Sequence, residues 1–193
     1  MAFHKGKGKR RRKREKPEFD QQIVDLARVT RVTKGGKQLS FRACVVIGDH
    51  KGRVGYGVDK GKDVQIAVEK AVNKAKKNMI RVPIVNDSIP HRVDGKYSAA
   101  KVMLKPAPRG SGVIAGSSVR VVLELAGVPN ASAKILGKTN NKINNIKATF
   151  VCLESFLPKA KETITKNKVK KQKKNQTEKK IKKDEKKEKQ EKK

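Results

Sequence analysis

Residues that build catalytic and metal sites are scarce in this 193-residue chain. It contains two cysteines, three histidines, no tryptophan and only seven phenylalanine and tyrosine residues. Cys44 and Cys152 lie far apart and outside any Cys-x-x-Cys pair, so we expect buried, core-filling thiols rather than metal or redox ligands. His4, His50 and His91 are scattered in the same way. The composition therefore predicts no metal site, no cofactor and no catalytic residue.

Long apolar runs are missing as well. No stretch approaches the roughly 20 apolar residues that a transmembrane helix needs. The N-terminus is too rich in lysine and arginine for a secretion signal. Nothing in the cysteine usage indicates an oxidising compartment. We therefore expect a cytoplasmic protein.

Acidic residues are few compared with basic ones. The chain has 18 acidic and 50 basic residues, which gives a formal net charge of +32. Residues 1–20 carry +6, residues 159–193 carry +11, and the part between them carries +15. A folded part that is itself basic favours a polyanionic partner, since lysines and arginines that neutralise phosphates release condensed counterions. For the C-terminal tail, a simple role in solubility remains an equal alternative.

The first predicted domain spans residues 21–84 and begins with a hairpin. Apolar residues alternate with others from Leu39 to Ile47, which is typical of a half-buried strand. Residues 24–32 are a second β-prone run, and residues 34–37 form a turn with two glycines between the two strands.

A third strand and a helix complete this domain. Residues 48–52 resemble a glycine-containing hairpin loop, and residues 53–58 follow as a strand. Residues 63–79 change to a helical period, with Asp63 as a suitable N-cap. Cations lie at the turns and along the helix, so three strands plus a helix form a plausible RNA-binding module.

The second predicted domain spans residues 88–157 and is also α+β. Its predicted elements alternate in type along the chain: strand 97–104, glycine-rich loop 109–116, helix 119–126 with Ser117 and Ser118 as caps, strand 132–136 and helix 140–156.

The glycine-rich loop raises the alternative of an enzyme. A strand, a glycine-rich loop and a helix N-terminus form a generic anion site, as in nucleotide-binding loops. However, no Gly-Lys-Ser/Thr motif follows the loop, and no pair of carboxylates lies near it to bind magnesium. We therefore expect no enzyme, and a free regulator that binds double-stranded RNA is the other alternative.

Two basic tails, residues 1–20 and 158–193, flank the predicted domains. Both have too few apolar residues to build a core, so we expect them to be disordered in isolation. The N-terminal arm could become ordered on RNA, and nuclear import is an alternative role for its RRRKREK run. Non-specific attraction to RNA is the role expected of the lysine-rich C-terminal tail.

Several long motifs indicate a family. TKGGKQLSFRACVVIGDHKGRVGYG, the following KDVQIAVEKAVNKAKKNM, and PAPRGSGVIAGSSVRVVLELAGVPNASAKILGKTN closely resemble small-subunit ribosomal protein S5 in its bacterial form. The resemblance covers residues 21–157. It implies a domain like the double-stranded-RNA-binding domain without its first helix, followed by a βαβα-type ribosomal domain with a left-handed crossover. The long tails extend beyond the usual family ends.

The resemblance also implies a function and partners. A protein of this family would be a structural part of the small ribosomal subunit in the cytoplasm. It would bind ribosomal RNA, hold the head relative to the body, and influence decoding accuracy through ribosomal protein S4. Ribosomal protein S8, and mRNA near the point where it enters the subunit, are further expected partners.

The candidate RNA-binding residues are cations and glycines at turns, strand ends and helix ends: Arg28, Arg31, Lys34, Gly35, Gly36, Lys37, Arg42, Lys51, Arg53, Lys60, Lys62, Lys76, Lys77, Arg109, Gly110, Gly112 and Lys138. Gly35 and Gly36 would let the backbone approach a phosphate, or they could serve only the turn. Tyr56 and Phe41 could stack on bases, although core packing is the simpler role for Phe41.

A second set of candidates concerns decoding accuracy. Gly110, Gly112 and Arg120 match family positions linked to accuracy at the contact with ribosomal protein S4. Without the resemblance, Arg120 would be read simply as a surface cation on a helix.

Overall fold

A computed structural model describes residues 18–156 of the chain as two four-stranded sheets with three helices packed on them. Most of the predicted N-terminal arm and all of the tail at 158–193 lie outside the described residues. The predicted α+β class, with an N-terminal unit of strands plus a helix and a C-terminal unit of mixed sheet and helices, is confirmed. None of the helices within 18–156 is long and apolar enough to cross a membrane.

The N-terminal unit is an antiparallel sheet with one helix. Its elements in chain order are β1 (Asp20–Thr33), β2 (Gly36–Gly48), β3 (Arg53–Gly61), α1 (Val64–Lys77) and β4 (Met79–Arg81). The strands lie in the order β1-β2-β3-β4. The three predicted strands and the helix are present. The short β4 was not predicted, because helical spacing had assigned Met79 to the preceding helix.

Helix α1 packs directly on the sheet through alanines. Ala67, Ala71 and Ala75 are fully buried at one-turn intervals. A Cβ added to Gly57 on β3 would lie only 2.8 Å from the backbone nitrogen of Ala75, so backbone touches backbone here. Asp63 caps the helix, since its Oδ1 accepts a hydrogen bond of 2.7 Å from the Val64 amide. Small residues on both sides therefore fix the helix close to β3.

Strand β2 corrects the prediction of a half-buried strand. Ala43, Val45 and Ile47 face α1, as alternation predicted. Cys44 and Val46, on the opposite face, are also fully buried, in a core shared with the C-terminal unit. The sheet is covered on both faces at this end because the second unit packs against it.

The C-terminal unit is a mixed sheet with two helices. Its elements are β5 (Val93–Tyr97), β6 (Ala100–Pro106), β7 (Val113–Ile114), α2 (Ser117–Leu125), β8 (Ala131–Ile135) and α3 (Lys142–Glu154). The strand order is β5-β6-β8-β7. Only the β7–β8 pair is parallel, and α2 connects these two strands. The left hand of this crossover stays a prediction.

The predicted strand 97–104 matches β6 over residues 100–104, whereas Tyr97 is the last residue of a separate strand, β5. Tyr97 pairs with Ala100 across a tight turn in which Ser98 has a positive φ of 52°. Strand β5 precedes the turn, where Gly95 and charged neighbours had given no β signal. The correction adds an edge strand to the sheet.

The predicted helix caps also need correction. Gly116, and neither Ser117 nor Ser118, is the N-cap of α2, and both serines lie within the helix. Asn141 caps α3, and its Oδ1 accepts a 3.1 Å hydrogen bond from the Ile143 amide.

A loop of the N-terminal unit caps a helix of the C-terminal unit. The amide of His50 donates to Leu125 O at 3.1 Å, and that of Gly52 donates to Ala126 O at 2.9 Å. The Nδ1 atom of His50 lies 2.9 Å from Glu124 O. Leu125 and Ala126 are the last residue and the C-cap of α2, so no further helical turn pairs their carbonyls, whereas Glu124 O also accepts from the Gly127 amide. The loop at 49–52 thereby holds the two units in one arrangement.

Candidate nucleic-acid interface

The tip of the β1–β2 hairpin, residues 28–40, extends beyond the third strand of its sheet, and we call it the β1–β2 arm. Strand β2 pairs with β3 only from Phe41 to Gly48, so the arm has no third strand. Nearly all of its residues are exposed. The arm is therefore a two-stranded ribbon open to a partner on both faces.

Four predicted cations lie on the arm, at its tip and on both faces. Arg28 and Lys37 share the face that continues from Phe41, whereas Arg31, opposite Gln38, lies on the other face. Lys34 is in the connecting turn. None of these four cations makes an ion pair with another residue between 18 and 156. They remain free to contact phosphates.

The two glycines of the arm differ in what their backbone requires. Gly36 has a positive φ of 143°, so the turn itself favours glycine there, whereas Gly35 has no such constraint. A Cβ at either position would meet nothing within 4 Å. Both amides lie at an open tip, where close approach by a phosphate is sterically free.

Arg42, at the base of the arm, is placed differently from the other candidates. Its guanidinium lies 3.3 Å from Asp25, and Lys142 of α3 lies 3.8 Å from the same carboxylate. The Nε of Arg42 is buried without a hydrogen-bond partner. Asp25 thus links Arg42 in its own unit to Lys142 of the C-terminal unit, an arrangement that the sequence did not predict.

Lys51, in the loop after β2, and Arg53, at the start of β3, lie beside a well-paired carboxylate. Asp49 accepts hydrogen bonds from the backbone amides of Lys51 and Arg53 and from Arg53 Nε at 2.7 Å. Burial alone would raise the pKa of Asp49, but these hydrogen bonds outweigh burial and hold the pKa below its ordinary value. Arg53 also lies over the Phe19 ring at 5.3 Å. The loop is therefore rigid, and the Lys51 side chain is its freest cation.

The candidate lysines around α1 form two separate groups. Lys60 and Lys62 lie at its N-terminal end, and Lys76 and Lys77 lie in its last turn. A helix of 14 residues is about 21 Å long, so one phosphate cannot contact both groups. Lys70 and Lys74 line a surface cleft of about 490 Å³ beside α1. Neither lysine was among the candidate residues found from the sequence.

The glycine-rich loop of the C-terminal unit is closed by a side chain that sequence analysis missed. The amides of Gly110 and Gly112 donate to Asn130 Oδ1 at 3.0 and 3.1 Å. Asn130 in turn donates to Asp87 O at 3.1 Å, and Arg109 pairs with Asp87 at 3.3 Å. The amides that a phosphate would need are already paired within the protein. This removes the basis for treating the loop as a nucleotide-type anion cradle.

The remaining candidates lie on the surface of the C-terminal unit. Arg120 forms an exposed ion pair with Glu124 at 2.7 Å, one turn along α2. Lys138 is exposed in the segment after β8. Among residues 18–156, no ion pair links Arg120 or Lys138 to the arm.

The aromatic candidates are part of the core. Tyr56 packs edge-on against Phe150 of α3, with ring centroids 4.5 Å apart, and Phe41 packs beside α1. Both rings are half-buried against the core, which favours core packing over base stacking as their role.

Two sequence-family models match the chain. The model described as "Ribosomal protein S5, N-terminal domain" matches residues 19–83, and "Ribosomal protein S5, C-terminal domain" matches residues 95–164. The chain belongs to the ribosomal protein S5 family. The resemblance found in the sequence motifs is thereby confirmed.

Individual S5 relatives match over most of their length. "Small ribosomal subunit protein uS5c" of Rhodomonas salina is 54% identical over 137 residues, 70% of this chain and 81% of that protein. The protein of the same name in Emiliania huxleyi is 52% identical over 134 residues, 69% of this chain and 84% of that protein. "Small ribosomal subunit protein uS5" of Thermotoga maritima is 46% identical over 140 residues, 72% of this chain and 78% of that protein.

S5 membership decides the broad function. As an S5 protein, the chain is a non-enzymatic component of the small ribosomal subunit that binds ribosomal RNA and assembles with other ribosomal proteins. The nucleotide enzyme and the free regulator are thus excluded as the main role.

In this S5 chain Cys44 and Cys152 fill the core as predicted, and burial raises the pKa of each thiol to about 11.

Proposed function

We propose that this S5 protein stabilises the head of the small subunit relative to the body, with the β1–β2 arm gripping ribosomal RNA between them. The observation that carries the proposal is the arm itself. It is a two-stranded ribbon with cations on both faces and at its tip, none of them paired within residues 18–156.

Exposure on two faces fits a grip between RNA segments. A cation that only helps fold the protein usually has a carboxylate beside it, as Arg42 and Arg53 do. The cations of the arm are in no ion pair with a carboxylate among residues 18–156. Contacts to phosphates and 2′-hydroxyls would fix its position by shape, without reading base sequence.

The linkage between the two units supports a mechanical role. The loop at 49–52 caps α2, and the cores of both units are continuous through Cys44, Val46 and Val54. Force on the arm is therefore transmitted to the C-terminal unit without a flexible joint between them. A protein that holds two parts of a particle in register needs this kind of connection.

The C-terminal unit would supply the contact with ribosomal protein S4 and its effect on decoding accuracy. Arg120 is exposed on α2, and Gly110 and Gly112 lie in the loop that Asn130 braces. A braced loop beside an exposed helix is a firm surface for another protein. Ribosomal protein S8, and mRNA where it enters the subunit, are proposed as further neighbours.

The proposed compartment is the cytoplasm. Relatives carry both the names uS5 and uS5c, and the second belongs to plastid forms, so S5 membership is compatible with either compartment. Localising a fluorescent fusion of the full chain decides between them.

The test of the arm is the salt dependence of RNA binding by the full chain. Replacing Lys34 and Lys37 by alanine should lower the slope of log K against log salt by about 1.4 to 1.8, since each phosphate contact contributes roughly 0.7 to 0.9. The matched control replaces both by arginine, which keeps the charge and should keep the slope. If the alanine variant has the same slope as the unaltered protein, the arm is not part of the RNA interface.

A further inference from the structure

The C-terminal sheet has one face that nothing covers within residues 18–156. Helices α2 and α3 pack on the other face, where Val102 and Leu104 of β6 and Ala133 of β8 are buried. Residues alternate along β6, so Lys101, Met103 and Lys105 point away from the helices. An uncovered sheet face in the middle of a basic protein calls for an explanation.

Lysines dominate this uncovered face. Lys96 of β5 lies directly opposite Lys101 of β6, and Lys134 of β8 lies opposite Met103. Lys105 completes the set, which we call the lysine face: Lys96, Lys101, Lys105 and Lys134. All four are exposed, and the sequence had indicated only Lys134, in a turn with Lys138, as a residue that could contact RNA.

The charge on the lysine face is not neutralised by the protein. None of its four lysines forms an ion pair with another residue of the described chain. The one carboxylate on this face, Asp94, is held by Arg92 at 3.1 Å. Like charges directly opposite each other on a sheet, such as Lys96 and Lys101, destabilise the pair. A bound anion would remove that cost.

We propose that the lysine face binds the phosphate backbone of RNA, as a second contact separate from the β1–β2 arm. The chemistry favours RNA over an acidic protein. Protein interfaces are depleted in lysine and enriched in aromatic residues and arginine, which pairs bidentately with carboxylates. The lysine face has four lysines and no aromatic residue. Lysine is a point charge on a flexible stem, which suits a row of phosphates.

The spacing also fits a backbone crossing the strands. Neighbouring strands lie about 4.8 Å apart, and alternate residues on one strand lie about 6.6 Å apart. Lys96, Lys101 and Lys134 therefore follow a diagonal across three adjacent strands. One strand of RNA running along this diagonal could contact all three.

The proposal rests on the proposed function, because it assigns a further surface to the same RNA. Its test uses the full chain with Lys96, Lys101 and Lys134 replaced by glutamine. The three arginine substitutions at these positions are the matched control. Loss of three phosphate contacts should lower the salt slope of RNA binding by roughly 2 to 3, and the arginine control should keep it. Thermal unfolding should occur at an equal or higher temperature in the glutamine variant, because a repulsive pair is removed.

The arm variant described above, measured in parallel, separates the two claims. If the salt slope of RNA binding is unchanged in the lysine-face variant but lowered in the arm variant, the lysine face does not bind RNA. The arm then remains the RNA contact. If the salt slope is unchanged in both variants, both proposed RNA contacts are wrong. A titration of the lysine-face variant and the unaltered protein with polyglutamate completes the test. If the glutamine substitutions weaken polyglutamate binding and leave the RNA slope unchanged, the face serves an acidic protein and the proposal fails.

Discussion

Gly127→Ala is the substitution that most sharply tests how the two units are joined. Gly127 follows α2 with a positive φ of 74°. An added Cβ would overlap the carbonyl group of His50 and lie 2.8 Å from its Cα. The loop at 49–52 would have to move away, and its hydrogen bonds to the end of α2 would be lost.

The expected cost has two separable parts. A left-handed backbone costs an alanine roughly 1 to 2 kcal/mol. Forcing extra atoms into a packed contact typically adds about 1 to 3 kcal/mol. We therefore expect Gly127→Ala to lower the free energy of unfolding by about 2 to 5 kcal/mol. For a chain of this size each 1 kcal/mol lowers Tm by about 2 to 4 °C.

Gly112→Ala is the matched control for this measurement. Gly112 has a similar φ of 68°, but a Cβ there would meet nothing within 4 Å. It should therefore cost only the conformational part, about 1 to 2 kcal/mol. Urea unfolding of both variants, followed by circular dichroism, gives the difference. Equal losses in the two variants would mean that the loop does not pack against Gly127, and the account of the joined units would be wrong.

Further predictions concern single groups. Asp49→Asn should lower the free energy of unfolding by about 1 kcal/mol near pH 7. Because the hydrogen bonds from Arg53 and the loop amides lower the Asp49 pKa, that difference should shrink in urea titrations as pH falls below the ordinary value of 3.8. Cys44 and Cys152 should resist a thiol reagent at pH 8 until the protein unfolds, since burial raises both pKa values to about 11; fast labelling of the native protein would refute this. Arg120→Ala should alter miscoding in a reporter assay more than subunit assembly, and equal loss of both would argue against a role in accuracy.

Local patterns predicted the elements but not what covers them. The alternation in β2 identified the strand and its α1 face, whereas burial of Cys44 and Val46 depends on a unit that begins only at Val93. The same limit applies to Arg42, whose contact with Lys142 is made through Asp25. Period and propensity carry no information about such long-range packing.

The candidate site was only partly predicted, because it too depends on long-range packing. The arm was identifiable because glycines and cations adjacent in sequence are also adjacent in the hairpin. The closure of the glycine-rich loop depends on Asn130, about 20 residues away, and an asparagine near a proline reads only as a turn. The lysine face was missed because β5 was missed, and Lys96 and Lys101 could not be paired without it.

Chemical labelling of lysines in purified small subunits tests the central claim most directly. The claim is that the β1–β2 arm grips ribosomal RNA inside the particle. The account predicts that Lys34 and Lys37 react rapidly with an acylating reagent in the free protein and are protected in the subunit, with ultraviolet crosslinks joining residues 28–40 to ribosomal RNA. Rapid labelling of both lysines in the intact subunit, or subunits from which the chain is absent, would contradict it.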